Sequence, residues 1–185
     1  VFKNRTSNTI EIEVLGERQE YELLAILDFN NDRKRMSVIV RQPASGKIKL
    51  YCKGADSVIF AHLAPISSVS KRQARVRQLT QDHLQHFAGA GLRTLCLAKK
   101  DLNEGDYNEW RAEFHQAVTS LDDRESKVDK CYEAIETDLE LLGATAIEDK
   151  LQDNVPQTIA NLLAAGIKLW VLTGDKQETA INIGY

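Results

Sequence analysis

The sequence predicts an α+β fold: an antiparallel sheet flanked by helices, followed by a partial α/β segment. Three observations predict it. Apolar and polar residues alternate with period two in short runs over the first half. Three apolar stripes of 3.6-residue period follow. The C-terminal stretch then reads helix, strand, tight glycine turn, helix, which is α/β grammar.

The strands come first. Over 9–14, Ile10, Ile12 and Val14 alternate with Glu11 and Glu13, the pattern of a half-buried strand. Residues 21–28 are more continuously apolar and read as a central strand. Strands over 36–41 and 48–53 flank Gln42-Pro43-Ala44-Ser45-Gly46, whose proline and glycine mark a hairpin turn. A further strand is expected over 92–98.

Helices account for the middle. Val76, Leu79, His83, Phe87 and Ala90 share one helical face. A second stripe is Tyr107, Trp110, Phe114, Val118 and Leu121. A third is Val128, Cys131, Tyr132, Ile135, Leu139 and Leu142. Each needs an apolar partner, and the sheet is the obvious one.

The grammar then changes. A strand over 141–147 leads into polar Glu148-Asp149-Lys150. Asp153-Asn154-Val155-Pro156 reads as a helix start with a capping side chain and a proline in the first turn. Ile159, Leu162 and Leu163 give that helix its apolar face, and Gly166 ends it. A short apolar strand over 168–172, the turn Thr173-Gly174-Asp175 and a helix from about Gln177 follow. The boundary falls near residues 143–150, so the chain divides into 1–146 and 147–185.

Composition bounds the function. The chain has 185 residues, enough for one domain and a fragment, with 43% hydrophobic and 28% charged residues and a formal net charge of -3. That balance argues against nucleic acid and against an anionic membrane surface as partners. No apolar run approaches the roughly 20 residues of a membrane-spanning helix. No signal peptide opens the chain. Cys52, Cys96 and Cys131 lack metal-ligand spacing and read as reduced cytosolic thiols. The chain opens on Val1 and stops inside an expected helix, so it reads as a piece of something larger, with the N-terminal part of its first domain missing.

Five local features can carry chemistry. Thr173-Gly174-Asp175 sits where a strand ends and a helix begins, a place where backbone N–H groups face a phosphate. An ordinary capped turn explains it equally well. Lys53, at a strand end beside Gly54, can reach a phosphate or a purine edge. A solvated lysine is the commoner case. Phe29 stands at a loop edge, where a ring can stack on a purine or plug the core. The basic run 33–35 can steer a polyphosphate or be a solvated turn. Arg93 offers a planar donor fork to phosphate, or a surface ion pair. No Ser/His/Asp or Cys/His nucleophile arrangement and no metal cluster is evident.

Taken together and in order, these motifs are distinctive. Asp-Arg-Lys-Arg-Met-Ser at 32–37, Lys-Gly-Ala-Asp at 53–56, Leu-Arg-Thr-Leu at 92–95 and Thr-Gly-Asp-Lys at 173–176 resemble the signatures of P-type ATPases. The longer strings at 26–40, 51–56 and 142–185 resemble the phospholipid-flippase class. Asp56 and Gln177-Glu178 depart from the cation pumps.

The resemblance covers essentially the whole chain. It implies a nucleotide-binding domain followed by the start of a haloacid-dehalogenase-like phosphorylation domain. By resemblance Phe29 stacks on adenine, Lys53 lines the adenine pocket and Arg93 engages the phosphates. Ser37 and Thr94 are further pocket candidates, and Thr173, Gly174 and Asp175 are phosphate-side contacts. The cofactors implied are ATP and Mg²⁺, the metal's ligands lying outside this chain. The implied parent is an integral membrane protein with this part in the cytosol. It moves phospholipid toward the cytosolic leaflet through an aspartyl-phosphate cycle, beside an accessory membrane glycoprotein subunit. The string Asp-Lys-Thr-Gly-Thr, which holds the phosphorylated aspartate, is absent from the chain. The chain alone is therefore expected to bind nucleotide weakly and not to hydrolyse ATP. The alternatives are a cation-transporting P-type ATPase, a soluble haloacid-dehalogenase-type phosphatase, or an interaction module with an unused pocket. The phosphatase would need a nucleophilic Asp-x-Asp near an apolar strand, and none is found.

Overall fold

The computed structural model describes residues 1–148 and 152–172. Seven strands form one antiparallel sheet in sequence order: β1 (Phe2–Arg5), β2 (Thr9–Val14), β3 (Glu17–Leu27), β4 (Arg35–Arg41), β5 (Ile48–Gly54), β6 (Arg93–Leu102) and β7 (Glu140–Ile147). Short turns and loops join the first five. At the β2–β3 turn, Leu15 (φ 52°) and Gly16 (φ 87°) both adopt positive φ, which matches the twist of the flanking strands. Between β5 and β6 run α1 (Asp56–Ala61), a 3₁₀ turn (Ile66–Ser68) and α2 (Lys71–Gly89). Between β6 and β7 run α3 (Glu104–Thr119) and α4 (Arg124–Ile135).

The helices cover one face of the sheet. Alternate residues of the central strands (Leu27, Ile39, Ile48, Leu50, Cys52, Cys96, Ala98, Leu141) are buried with Ile59, Leu84, Tyr107, Trp110, Tyr132 and Ile135 from all four helices. The intervening residues Met36, Val38, Tyr51, Lys53 and Leu97 point to the other face and stay partly or fully exposed. The period-two pattern thus fixes which side chains remain for a ligand.

The fold expectation holds for the sheet and its flanking helices, with differences at particular elements. β1 and α1 carry no strong pattern and are additions. In α2 the inward positions are Arg77, Thr80 and Leu84, while Leu79 and His83 face solvent. Arg77 can occupy an inward position because its Nη1 donates to the carbonyl of Ala64 at 2.7 Å. The second stripe stops at Val118, since Leu121 lies beyond α3 and is fully exposed. The third stripe stops at Ile135. Asp138 takes positive φ (55°), and Leu139 is buried outside the helix through a parallel bridge to Leu63.

Residues past the sheet behave differently. A helix forms at α5 (Val155–Ala164), with Pro156 in its first turn. Asn154 makes no side-chain cap; it sits at φ 69° instead. Gly166, at φ 78°, closes the helix as expected, and Ile167 N donates to the carbonyl of Leu162 at 3.0 Å. No side chain of α5 is buried. The strand expected over 168–172 is not formed, and Trp170 is 83% exposed. A strand of a parallel sheet takes its hydrogen bonds from neighbouring strands, and none among the described residues pairs with this one. Thr173, Gly174, Asp175 and the helix expected from Gln177 lie outside the described residues.

Candidate functional site

One end of the sheet gathers the motifs. β3 and β5 end there, and β4 and β6 begin there, because Leu27 pairs with Ser37, Arg35 with Gly54, and Gly54 with Cys96. The loop 28–34 carrying Phe29 lies at this end, as do Lys53 and Arg93.

Phe29 is 58% exposed, so its ring is not a core plug. The loop around it is well tied. Asn30 Oδ1 accepts from the amide of Arg33 at 2.7 Å, and the carbonyl of Asn30 accepts from the amide of Lys34 at 2.9 Å. The polar loop residues satisfy the backbone locally, as asparagine does in turns.

Lys53 sits on the open face between Met36 on β4 and Leu97 on β6. With Met36, Val38, Tyr51, Leu97 and Leu142 it lines a depression of about 240 Å³. Sites for drug-sized ligands run to about 300–1,000 Å³. This one therefore suits a flat ring system rather than a whole nucleotide. It is an apolar slot with one cation at its rim. Gly54 makes that placement sterically possible. A Cβ there would lie 2.6 Å from Arg35 Cβ and 2.7 Å from the carbonyl oxygen of Lys34.

Arg93 is exposed and starts β6, pairing with Ile147. It shares the face of Leu97, four residues on, which puts it roughly 13 Å along the strand from the lysine's neighbour. An extended anionic chain leaving the slot along β6 would meet it. Thr94 points to the opposite face from Arg93, so it does not join this arrangement.

Two expectations change. Ser37 borders the slot, but its side chain is 1% exposed and its hydroxyl donates to Glu136 on the helix side. It is not available to a ligand in the slot. Arg33 and Arg35 neither steer a ligand nor form a solvated turn: they are 5% and 3% exposed. Glu136, just past α4 and 0% exposed, takes Arg33 Nη2 on both carboxylate oxygens (2.7 and 2.6 Å) and Arg35 Nε at 2.7 Å. Arg33 also lies 4.5 Å over the ring of Tyr132. A buried charge survives only with such partners.

Glu136 escaped the sequence reading. Its one signal is a position next to the apolar stripe that ends at Ile135, which does not separate it from a solvated glutamate.

The electrostatics follow from this packing. Burial alone would lower the Arg35 pKa, but its hydrogen bond to Glu133 and the charge of Glu136 outweigh that and raise it. Burial likewise opposes ionisation of Glu133, yet its bonds to Arg35 and His62 hold its carboxyl below the usual range. Burial pushes the Cys52 thiol up to about 11, so it stays protonated and unreactive near neutrality.

Roomier grooves lie elsewhere. One of about 590 Å³ between α1 and α2 is lined by Asp56 and Asp82 with no cation, which disfavours a polyphosphate. Another of about 560 Å³ runs between β3 and α3, away from the gathered motifs. Among the described residues no group of three or more His, Cys, Asp or Glu could hold a metal ion, and no helix is long and apolar enough to cross a membrane.

Comparison with known proteins gives a consistent result. The family described as "P-type ATPase, cytoplasmic domain N" matches residues 4–154. Phospholipid-transporting ATPase IC of Xenopus tropicalis is 58% identical over 185 residues, all of this chain and 14% of that protein. Phospholipid-transporting ATPase ID of Mus musculus is 57% identical over all of this chain and 15% of its own length. A protein named "Probable phospholipid-transporting ATPase IM" of Homo sapiens is 55% identical over all of this chain, again 15% of its own length. The chain thus spans about one seventh of the length of these relatives.

Proposed function

Because the chain belongs to the P-type ATPase cytoplasmic N-domain family, we propose that it is the ATP-binding part of a phospholipid-transporting ATPase. The observation that carries the proposal is the apolar slot with Lys53 at its rim, at the sheet end that also exposes Phe29 and Arg93. In this reading adenine enters the slot and stacks on the Phe29 ring. Lys53 meets the edge of the base. The phosphates run along β6 toward Arg93. Stacking offers a flat apolar face to any purine, and the cations favour the polyanionic tail.

Residues 147–185 are proposed to begin a second, phosphorylation domain, with Thr173, Gly174 and Asp175 on the phosphate side. The Mg²⁺ that accompanies the nucleotide would take its protein ligands from outside this chain, since no group of three or more His, Cys, Asp or Glu among the described residues could hold it. In the whole protein the γ-phosphoryl group would pass to an aspartate, and that cycle would move phospholipid toward the cytosolic leaflet. The accessory membrane glycoprotein and the placement of this part in the cytosol of a membrane-embedded parent belong to the same proposal. The similarity to phospholipid-transporting ATPases favours it over a cation pump, and no finding favours a soluble phosphatase.

The test is an ATP titration followed by amide NMR. Shifts should cluster at Phe29, Lys53 and Arg93. Phe29→Ala should weaken binding by about 1–2 kcal/mol, roughly 5- to 30-fold in Kd. Unchanged affinity in that variant would refute the stacking assignment.

A further inference from the structure

The loop that presents Phe29 is held on both sides of the ring by α4 and by Glu136, the residue that caps it. On the N-terminal side, Arg33 Nη1 donates to the carbonyl of Asp28, the residue before the ring. The same guanidinium places Nη2 on both oxygens of Glu136. On the C-terminal side, Asn30 Nδ2 reaches Asp129 Oδ1 at 3.5 Å. One planar, doubly anchored cation therefore links the backbone next to Phe29 to a fully buried carboxylate at the end of a helix. Neither Arg33 nor Glu136 lines the slot.

We infer that Glu136, acting through Arg33, is a positioning residue for the ring of Phe29. The inference rests on the nucleotide reading above. A carboxylate that only stabilised the fold would affect every ligand contact alike. One that sets the ring affects the base-dependent part of binding and leaves the phosphate-dependent part alone.

The experiment measures Kd for ATP and for inorganic tripolyphosphate in the full 185-residue chain. The variants are Glu136→Gln, Phe29→Ala and the double substitution. Glu136→Gln should weaken ATP about fivefold or more and leave tripolyphosphate within about twofold. Added to Phe29→Ala, it should change the ATP Kd by less than about twofold, since the ring it positions is gone. Equal weakening of both ligands, or additive effects of the two substitutions, overturns the inference. If Glu136→Gln does not fold, Arg33→Lys carries the same expectations, because it keeps the charge opposite Glu136 and loses the fork that spans to Asp28. If Phe29→Ala weakens ATP and the positioning variants do not, this inference alone falls. If Phe29→Ala leaves ATP unaffected, the stacking assignment falls with it, whereas a parent chain that binds no ATP overturns the nucleotide reading itself.

Discussion

Gly54 has no room for a side chain. A methyl group at that position would lie 2.6 Å from Arg35 Cβ and 2.7 Å from the Lys34 carbonyl oxygen. Part of that clash is backbone, which cannot swing aside. Gly54→Ala should therefore destabilise by about 1–3 kcal/mol through overpacking. It should also displace Lys53, which precedes it. The expected outcome is a lower thermal midpoint together with weaker ATP binding. A variant as stable as the parent would mean that β4 and β5 are further apart at this end.

Glu133 supplies a pH dependence at the same scale. Its folded-state pKa lies below the ordinary glutamate value, because its bonds to Arg35 and His62 outweigh the opposing effect of burial. A carboxylate depressed on folding contributes stability above its unfolded pKa, about 4.3. That contribution disappears as pH falls through the lower folded value. Glu133→Gln should therefore be less stable than the parent at pH 7, and the gap should shrink as the pH is taken below about 4. Glu133 is about half exposed, so the gap should be small. Thermal melts of both proteins from pH 7 to 3 read it directly. A gap that widens toward acid would contradict the ion-pair account.

At the scale of elements, α3 and α4 form a layer fixed by aromatic packing. Trp110 stacks on Phe114 with centroids 5.0 Å apart, and its Nε1 donates to the carbonyl of Cys131 on α4 at 2.8 Å. Trp110→Phe keeps a ring but loses the hydrogen bond and leaves a small void. About 2 kcal/mol should be lost, a fall in Tm of roughly 4–8 °C for a domain of this size. Because α4 also anchors the loop at 28–34, ring contacts to bound ATP should weaken more than phosphate contacts.

What the sequence disclosed, and what it hid, divides along physical lines. Strands 9–14, 36–41 and 48–53 were legible because alternation reports a sheet with one covered face. β1 was not, because Phe2, Lys3, Asn4 and Arg5 are all exposed and are held by backbone pairing alone. α2 was found but rotated, since an inward arginine, bonded through Nη1 to the Ala64 carbonyl, breaks the rule that inward means apolar. Lys53 and Phe29 could be named because strand ends and loop edges are local features. Glu136 could not, because its partners Arg33 and Arg35 lie about a hundred residues away and only the folded chain brings them together.

At the scale of the whole molecule, the sheet and four helices hold the buried apolar side chains of the described residues, and no described residue past β7 adds to them. Every described residue of 156–172 is exposed apart from the half-buried Leu162, and no buried side chain belongs to α5. The sheet itself ends at Ile147. Stability resides where apolar area is removed from water, so a chain cut after Glu148 should keep almost all of it. Chain 1–148 should melt cooperatively within a few degrees of the 185-residue chain. It should bind adenosine with similar affinity, since Phe29, Lys53 and the slot are intact. ATP should bind slightly less well only if Thr173, Gly174 and Asp175 reach the phosphates, so the ratio of ATP to adenosine affinity isolates their part. If the shortened chain loses its cooperative melt, residues 149–185 pack onto the sheet in solution and the proposed division into 1–146 and 147–185 is wrong.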